Sequence, residues 1–203
     1  MRKFLIYILI LGAVVLCEVC EAAKIDRFNY VLGTQTFGAR YQFTKDSKLV
    51  ETAKAILEMG SNTIKFAMTN EYGERLANVP KKQDWINSLV KLARDEPSHK
   101  QVLDMPFANY LIWVYPFNPM NWRDGISENE KQGEYKEIYD LSCYLLKKYS
   151  GTGKNFYLGH WEGDWHLRSD YNTKADISDQ VIQGMIEWLN IRQKAVDDAK
   201  RDT

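Results

Sequence analysis

The sequence predicts an α/β fold of four parallel strand–helix units, half the number that closes an eight-stranded barrel. Three observations carry this reading. Along residues 23–203, short runs rich in β-branched and aromatic residues alternate with amphipathic stretches whose apolar positions recur at helical spacing. The intervening stretches are long enough for crossover helices, which implies parallel strands rather than hairpins. No linker, low-complexity tract or close repeat divides the chain, so 23–203 reads as one domain.

The units follow in order. Tyr30 to Thr36 (YVLGTQT) is a short strand-like run, followed by a loop with Gly38, Arg40 and Tyr41. Leu49, Val50, Ala53, Ile56 and Leu57 then mark a helix, with Asp46 or Ser47 as its cap and Gly60 as its stop. Thr63 to Met68 (TIKFAM) suits a pleated surface and is the second strand. Its mid-strand Lys65 is expected to point inward, toward a carboxylate. After a polar loop from Asn70 to Lys82, Asp84 is expected to cap a helix carrying Ile86, Leu89, Val90 and Ala93, ended by Pro97. Tyr110 to Phe117 (YLIWVYPF) is nearly continuous in apolar residues, as strands buried on both faces tend to be. The third helix is predicted over Gly133 to Tyr149, with Tyr135, Ile138, Ser142, Leu145 and Tyr149 on one stripe and Cys143 as a buried small hydrophobe. SGTGK (150–154) turns into the fourth strand, Asn155 to His160. Ser178 opens the fourth helix, with Val181, Ile182, Met185, Leu189 and Val196 inward. Four such strands leave two sheet edges, a liability that barrel closure removes. A (β/α)8 TIM barrel needs about eight strands and at least about 200 residues. The expectation is therefore a partial barrel truncated after the fourth helix, an open sheet, or two copies that pair.

Composition narrows the function classes. Lys+Arg and Asp+Glu both number 27, so no net charge draws the chain toward nucleic acid or anionic lipid. Arg2 and Lys3, the apolar run Phe4 to Leu16, and small residues ending at Ala22 form a secretory signal peptide over 1–22. The apolar run falls short of the about 20 residues of a spanning helix, so a secreted or periplasmic product without stable membrane insertion is expected, a retained anchor being the alternative. Leu16 is bulky where a lipidation site at Cys17 would carry a small residue. Of three cysteines only Cys143 follows the cleavage point, so an internal disulfide is excluded after processing. No nucleotide-binding glycine motif, nucleophile elbow or paired-cysteine motif occurs, and no cofactor is expected. SGTGK precedes a strand rather than a helix, the wrong side for cradling phosphate.

The stretch that carries chemistry is FYLGHWEGDWHLR (156–168). Alternate side chains of a strand face the same way, so His160, Glu162, Asp164 and His166 share one parity and Trp161 and Trp165 the other. Four ionisable groups in seven residues do not suit a strand interior, because burying unpaired charge costs several kcal/mol. They belong at the strand's C-terminal end, where parallel α/β proteins place their sites. Three readings fit. In glycoside chemistry, Glu162 is a general acid/base raised by flanking indoles, Trp161 or Trp165 stacks on a sugar, and Asp164 or His160 binds hydroxyls or tunes Glu162. As a metal site, His160, Glu162, Asp164 and His166 offer suitable donors, but neighbours on one strand face rarely converge on one ion, and His99, the other histidine, lies elsewhere. In the packing reading, Glu162 and Asp164 pair with Arg40, Arg123 or Arg168 and the indoles fill space. Gln35, Thr36 and Arg40 after strand one line the same mouth. So do Met68, Thr69, Asn70 and Glu71 after strand two, and Tyr115, Asn118 and Trp122 after strand three. Arg40 stands out because a fixed guanidinium orients a carboxylate.

The order of units, with Glu162 just past the fourth strand, resembles the large clan of retaining glycoside hydrolases with (β/α)8 barrels. The phrase FYLGHWEGDW is also similar to a group of secreted barrel proteins of no assigned activity. The resemblance covers roughly Lys24 to Thr203 in layout, and its sharp part is Tyr157 to Trp165. It implies a carbohydrate ligand, with Glu162 as acid/base. The clan usually carries Asn directly before that Glu, where this chain has Trp161, so another group would serve the sugar's 2-hydroxyl. The nucleophilic partner would stand on a seventh strand outside these four units, about 5–5.5 Å from the acid/base. Little hydrolysis is expected from these units alone, unless two copies form a full barrel. The alternative is a non-catalytic carbohydrate-binding or interaction protein on the same scaffold.

Overall fold

A computed structural model describes residues 30–37, 42–72, 83–160, 163, 167–168, 172, 174 and 176–203. The signal segment read at 1–22 and positions 73–82 of the second loop lie outside these residues. Four strands, β1 (Gly33–Gln35), β2 (Thr63–Met68), β3 (Asn109–Val114) and β4 (Asn155–Gly159), form one sheet in the order β1-β2-β3-β4. Every pairing is parallel. The helices α1 (Lys48–Glu58), α2 (Leu89–Asp95), α3 (Pro97–Asp104), α4 (Glu128–Lys148) and α5 (Asp179–Asp202) alternate with the strands. The chain is thus α/β with a four-stranded parallel sheet.

Local chemistry explains the boundaries. Ser47 caps α1, its side chain accepting from the Val50 amide at 3.3 Å, and Gly60 follows the helix at φ 84°, where a glycine is unstrained. Asp84 does not cap α2. The Ile86 amide bonds the Gln83 carbonyl at 3.0 Å and closes a turn, so the helix starts later, under Ser88. Pro97 does end α2, but it also opens α3, a helix the sequence reading lacks. Proline suits a first helical turn because its missing N–H has no partner there. The Glu96 side chain serves that turn, accepting from the amides of Ser98 (3.1 Å) and His99 (2.7 Å). The third predicted helix starts earlier than Gly133, at Glu128, because Ser127 and Glu130 form a reciprocal capping box. In the SGTGK turn, Gly151 (φ 71°) and Gly153 (φ 74°) turn the chain back. Lys154 then donates to the carbonyls of Leu103 and Met105, closing the end of α3.

The core lies on one face of the sheet. Ile64, Phe66 and Met68 of β2 and Tyr110, Ile112 and Val114 of β3 are buried against Leu49, Ile56, Leu92, Leu141 and other helix residues. The opposite parity is only partly covered. Lys65, Leu111 and Tyr157 stand side by side across three strands, with Leu111 38% and Tyr157 57% exposed. β3 is therefore buried on one face, not both. Lys65 sits over the Trp113 ring at 4.1 Å, a cation–π contact, rather than beside a carboxylate. The Phe37 ring stacks on Trp113 at 4.3 Å. Ile182 and Leu189 of α5, expected inward, are exposed. Met185 is inward as expected, and the stripe continues through Trp188, Arg192, Ala195 and Ala199, because the helix turns its indole and guanidinium toward partners inside. Cys143 is half-buried, accepting from the Thr203 hydroxyl at 3.7 Å, so it is no full core residue.

Candidate functional site

The C-terminal ends of β2, β3 and β4 lie side by side in register, Met68 beside Val114 and Trp113 beside Gly159. The segments that follow them are tied together. The Tyr115 amide extends the ladder to the Met68 carbonyl at 3.0 Å. Asn70 Nδ2 reaches the Phe117 carbonyl at 3.4 Å. Glu137, on α4, accepts from the amides of Phe117 (2.8 Å) and Asn118 (3.3 Å) with one oxygen and from the Leu89 amide (3.0 Å) with the other. Burial pushes the Glu137 carboxyl up, and the backbone donors only partly offset it. One side chain thus fixes both the loop after β3 and the start of α2.

A second small core closes this end of the sheet. Trp122 and Trp188 stack at 6.0 Å and 19°, with Met185 beside them. α5 comes so close to the loop that a Cβ at Gly184 would lie 2.0 Å from the Trp122 carbonyl oxygen, so the contact requires glycine. Beneath the indoles lies a buried ion pair. Arg192 Nη1 donates to Glu134 Oε1 at 2.7 Å, and the same oxygen accepts from Trp188 Nε1 at 3.0 Å. Arg192 Nη2 donates to the carbonyls of Val114 (2.9 Å) and Gly159 (3.1 Å), the last residues of β3 and β4. One guanidinium therefore satisfies two strand ends and a buried carboxylate together. Above it lies a cavity of about 200 Å³ lined by Tyr115, Met120, Asn121, Trp122, Glu134 and Trp188, among others.

The predicted site residues divide unevenly. Tyr115 lines the cavity and is half-buried, whereas Asn118 is exposed and outside the lining. His160 packs its ring 5.1 Å from Trp188, tilted by 51°. Trp122 is 5% exposed, so it is a packing residue rather than a free platform for a sugar. Arg40, Trp161, Glu162, Asp164, Trp165 and His166 lie outside the described residues. Their neighbour Gly163 is described: a Cβ there would meet Met185 Cε at 2.7 Å and the His160 ring at 3.0 Å, so position 163 itself lies close against α5. His99 is fully buried in the first turn of α3. It bonds Glu96 at 2.6 Å and the Ala67 carbonyl, near the end of β2, at 3.2 Å. Burial raises the Glu96 carboxyl, but hydrogen bonds and charge from His99 outweigh it and hold the group below its ordinary value.

Glu134, Glu137, Trp188 and Arg192 are the residues that sequence reasoning did not single out. A signal existed for two of them. Glu134 stands in phase with Ile138, Leu141 and Leu145, and Arg192 in phase with Trp188, Ala195 and Ala199, so each helix carries one charge of opposite sign on its apolar stripe. Among the described residues no group of three or more His, Cys, Asp or Glu side chains could hold a metal ion, and no helix is long and apolar enough to cross a membrane. No protein-family profile, curated protein or solved structure matches the chain.

Proposed function

We propose that the four units form one half of a (β/α)8-type barrel, and that the C-terminal ends of their strands make a carbohydrate site of the glycoside hydrolase kind. Glu162 is its general acid/base. His160, Trp161, Asp164, Trp165, Tyr115, Asn118 and Arg40 are its contact residues. The observation that supports this most is the consecutive parallel order β1-β2-β3-β4, which gathers the strand ends at one rim where an aromatic and carboxylate-lined cavity opens. Active and binding sites of parallel α/β proteins occupy that rim. Indole faces beside a carboxyl group suit a sugar ring, whose C–H surface stacks on an aromatic while its hydroxyls take hydrogen bonds. A carboxyl at the neighbouring positions 162 or 164, dried by indoles, would hold its proton to higher pH, as a general acid requires.

One observation favours the non-catalytic reading. The buried carboxylate at this rim, Glu134, is held by Arg192 and Trp188 and is not free to act as the second catalytic group. Binding therefore needs fewer assumptions than turnover. Titrating the protein with a panel of soluble oligosaccharides, followed by tryptophan fluorescence, should give a saturable change. A flat response across the panel removes the carbohydrate reading. Where an aryl glycoside is hydrolysed, Glu162→Gln should abolish turnover while leaving the fold and the fluorescence change intact. Unchanged turnover removes the acid/base role.

A further inference from the structure

We infer that the open side of this sheet is an interface for a second copy of the chain, whose four strands complete the ring that these four begin. The inference rests on the half-barrel reading and names what supplies the other half. Three surfaces of the described structure face the same missing neighbour.

The first is the outer edge of β4, which among the described residues pairs with β3 alone. A groove of about 290 Å³ runs along it, and Lys154 to Leu158 line it with both parities of the strand. Leu145 of α4 and Val196 of α5 form its other wall. The space lies along the free edge, where one more strand would add to the sheet.

The second surface is a flank of α5. At about 100° per residue, Ile182, Ile186 and Leu189 lie roughly a third of a turn to one side of the sheet-facing Trp188, Arg192 and Ala195. Glu187 and Asp198 lie roughly a quarter-turn to the other side, and they reach α4 through Lys131 and Tyr135. The three apolar residues, 36%, 47% and 39% exposed, therefore point away from α4, toward the place of a next helix.

The third is the opposite edge. Among the described residues β1 pairs with β2 alone, and the residues leading into it, Tyr30, Val31 and Leu32, are 54%, 70% and 45% exposed. Between the two edges runs the bare face with Leu111 and Tyr157. Parallel sheets are normally covered on both faces.

A second copy answers all of these at once. Two-fold pairing sets β4 of each copy beside β1 of the other, so both edges vanish together and each bare face covers the other. Four strands and four strands make the eight of a closed barrel. A lone added strand would satisfy one edge and leave the bare face open. The area agrees. Of the twelve exposed large apolar side chains among the described residues, nine lie on these surfaces. At on the order of 90 Å² each they supply roughly 800 Å² per copy, the size of a stable interface. The partner's strand ends would then complete the rim opposite Tyr115 and His160.

Light scattering on the 203-residue chain at tens of micromolar should give twice the chain mass. Ile186→Asp with Leu189→Asp, both at exposed positions, should return one chain mass and weaken pairing at least about 100-fold, with the circular dichroism unchanged. Tyr157→Lys should act in the same direction from the bare face. A wild-type chain that stays single up to about 100 μM overturns the inference and leaves these surfaces to strand–helix units of some other segment. A dimer that ignores both variants also overturns it, since pairing would then use another surface. The mass is read without any glycan, so a dimer that binds no oligosaccharide sinks the carbohydrate reading and leaves this one standing.

Discussion

The two faces of the sheet are made from alternate residues of the same strands, yet they live in different solvents. Phe66 and Ile112 point toward the helices and are 0% and 1% exposed. Their chain neighbours Lys65 and Leu111 point the other way, one lying over the Trp113 ring and the other 38% exposed. Composition alone does not separate them, since Leu111 and Ile112 are nearly the same size and polarity. What separates them is the phase of the strand relative to the helices. One face is packed by α1 to α5, and the other is only partly covered by the described residues, where Phe37 stacks on Trp113.

That contrast gives the largest expected effect. Phe66→Ala removes a fully buried ring and should lower unfolding stability by about 3–5 kcal/mol. Leu111→Ala in the single chain should cost less than about 1 kcal/mol, because much of that side chain is already in water. Urea denaturation of both variants reads the difference. Equal losses would mean that the open face is packed in solution. A large Leu111 effect that grows with protein concentration would point to a second copy covering it.

A comparable loss is expected at the rim. Arg192→Met leaves Glu134 buried beside an indole with no cation, and breaking such a pair by removing one partner costs about 3–5 kcal/mol. Replacing both, Glu134→Leu with Arg192→Met, should recover much of that loss, because the desolvation of two charges disappears with them. A double variant no better than Arg192→Met would show that the guanidinium matters mainly for the carbonyls of Val114 and Gly159.

The same contrast explains what was legible in the sequence. Strand positions were readable where period-two runs such as TIKFAM carry their own phase, and β2 spans Thr63 to Met68 as expected, whereas of the first run, Tyr30 to Thr36, only Gly33–Gln35 is strand. Parallel pairing followed from connection length. Helix starts were readable where a serine stood directly before the periodic run, as at Ser47 and Ser178, and misread where Asp84 offered a competing turn. Burial on α5 was harder. Apolar type marked Ile182 and Leu189 as inward, but hydrogen bonding drew Trp188 and Arg192 in instead, and the aliphatic residues were left outside. The site was the least legible part. FYLGHWEGDW announces ionisable groups beside indoles by composition, whereas Glu134 and Arg192, which organise the rim, stand 58 residues apart and meet only through the packing of α4 on α5.

Close approach offers a sharper probe of that rim. Gly184→Ala directs a methyl at the Trp122 carbonyl oxygen, a backbone atom that no rotamer change can move. The expected loss is about 1–3 kcal/mol, as for overpacking elsewhere. It should appear together with a change in the near-ultraviolet dichroism of the stacked Trp122 and Trp188. Gly133→Ala has open space around its Cβ on the neighbouring helix and should be neutral or slightly stabilising. If the two glycines respond alike, α5 does not press on the loop after β3.

The smallest expected effect separates the two charge clusters of α5. Arg192 meets its carboxylate in a dry interior, whereas Asp198 meets Lys194, Tyr135 and Arg201 at the edge of solvent. The Lys194 ammonium and the Tyr135 hydroxyl, which donates at 2.6 Å, hold the Asp198 carboxyl down to about 2. Asp198 in turn pushes the Tyr135 phenol up to about 12. An unfolded aspartate titrates near 3.9. Because the folded value is the lower one, the stabilisation from Asp198 is complete above about pH 4 and disappears as pH falls through about 2. Melting temperatures measured from pH 5 to pH 2 should therefore fall, and Asp198→Asn should flatten the part of that fall below pH 4. Salt should weaken the Asp198 contribution, since its cationic partners are largely exposed, and leave the Arg192 variants unaffected. A salt dependence shared by both clusters would place Arg192 in water too, and the cavity at the strand ends would lose its dry floor.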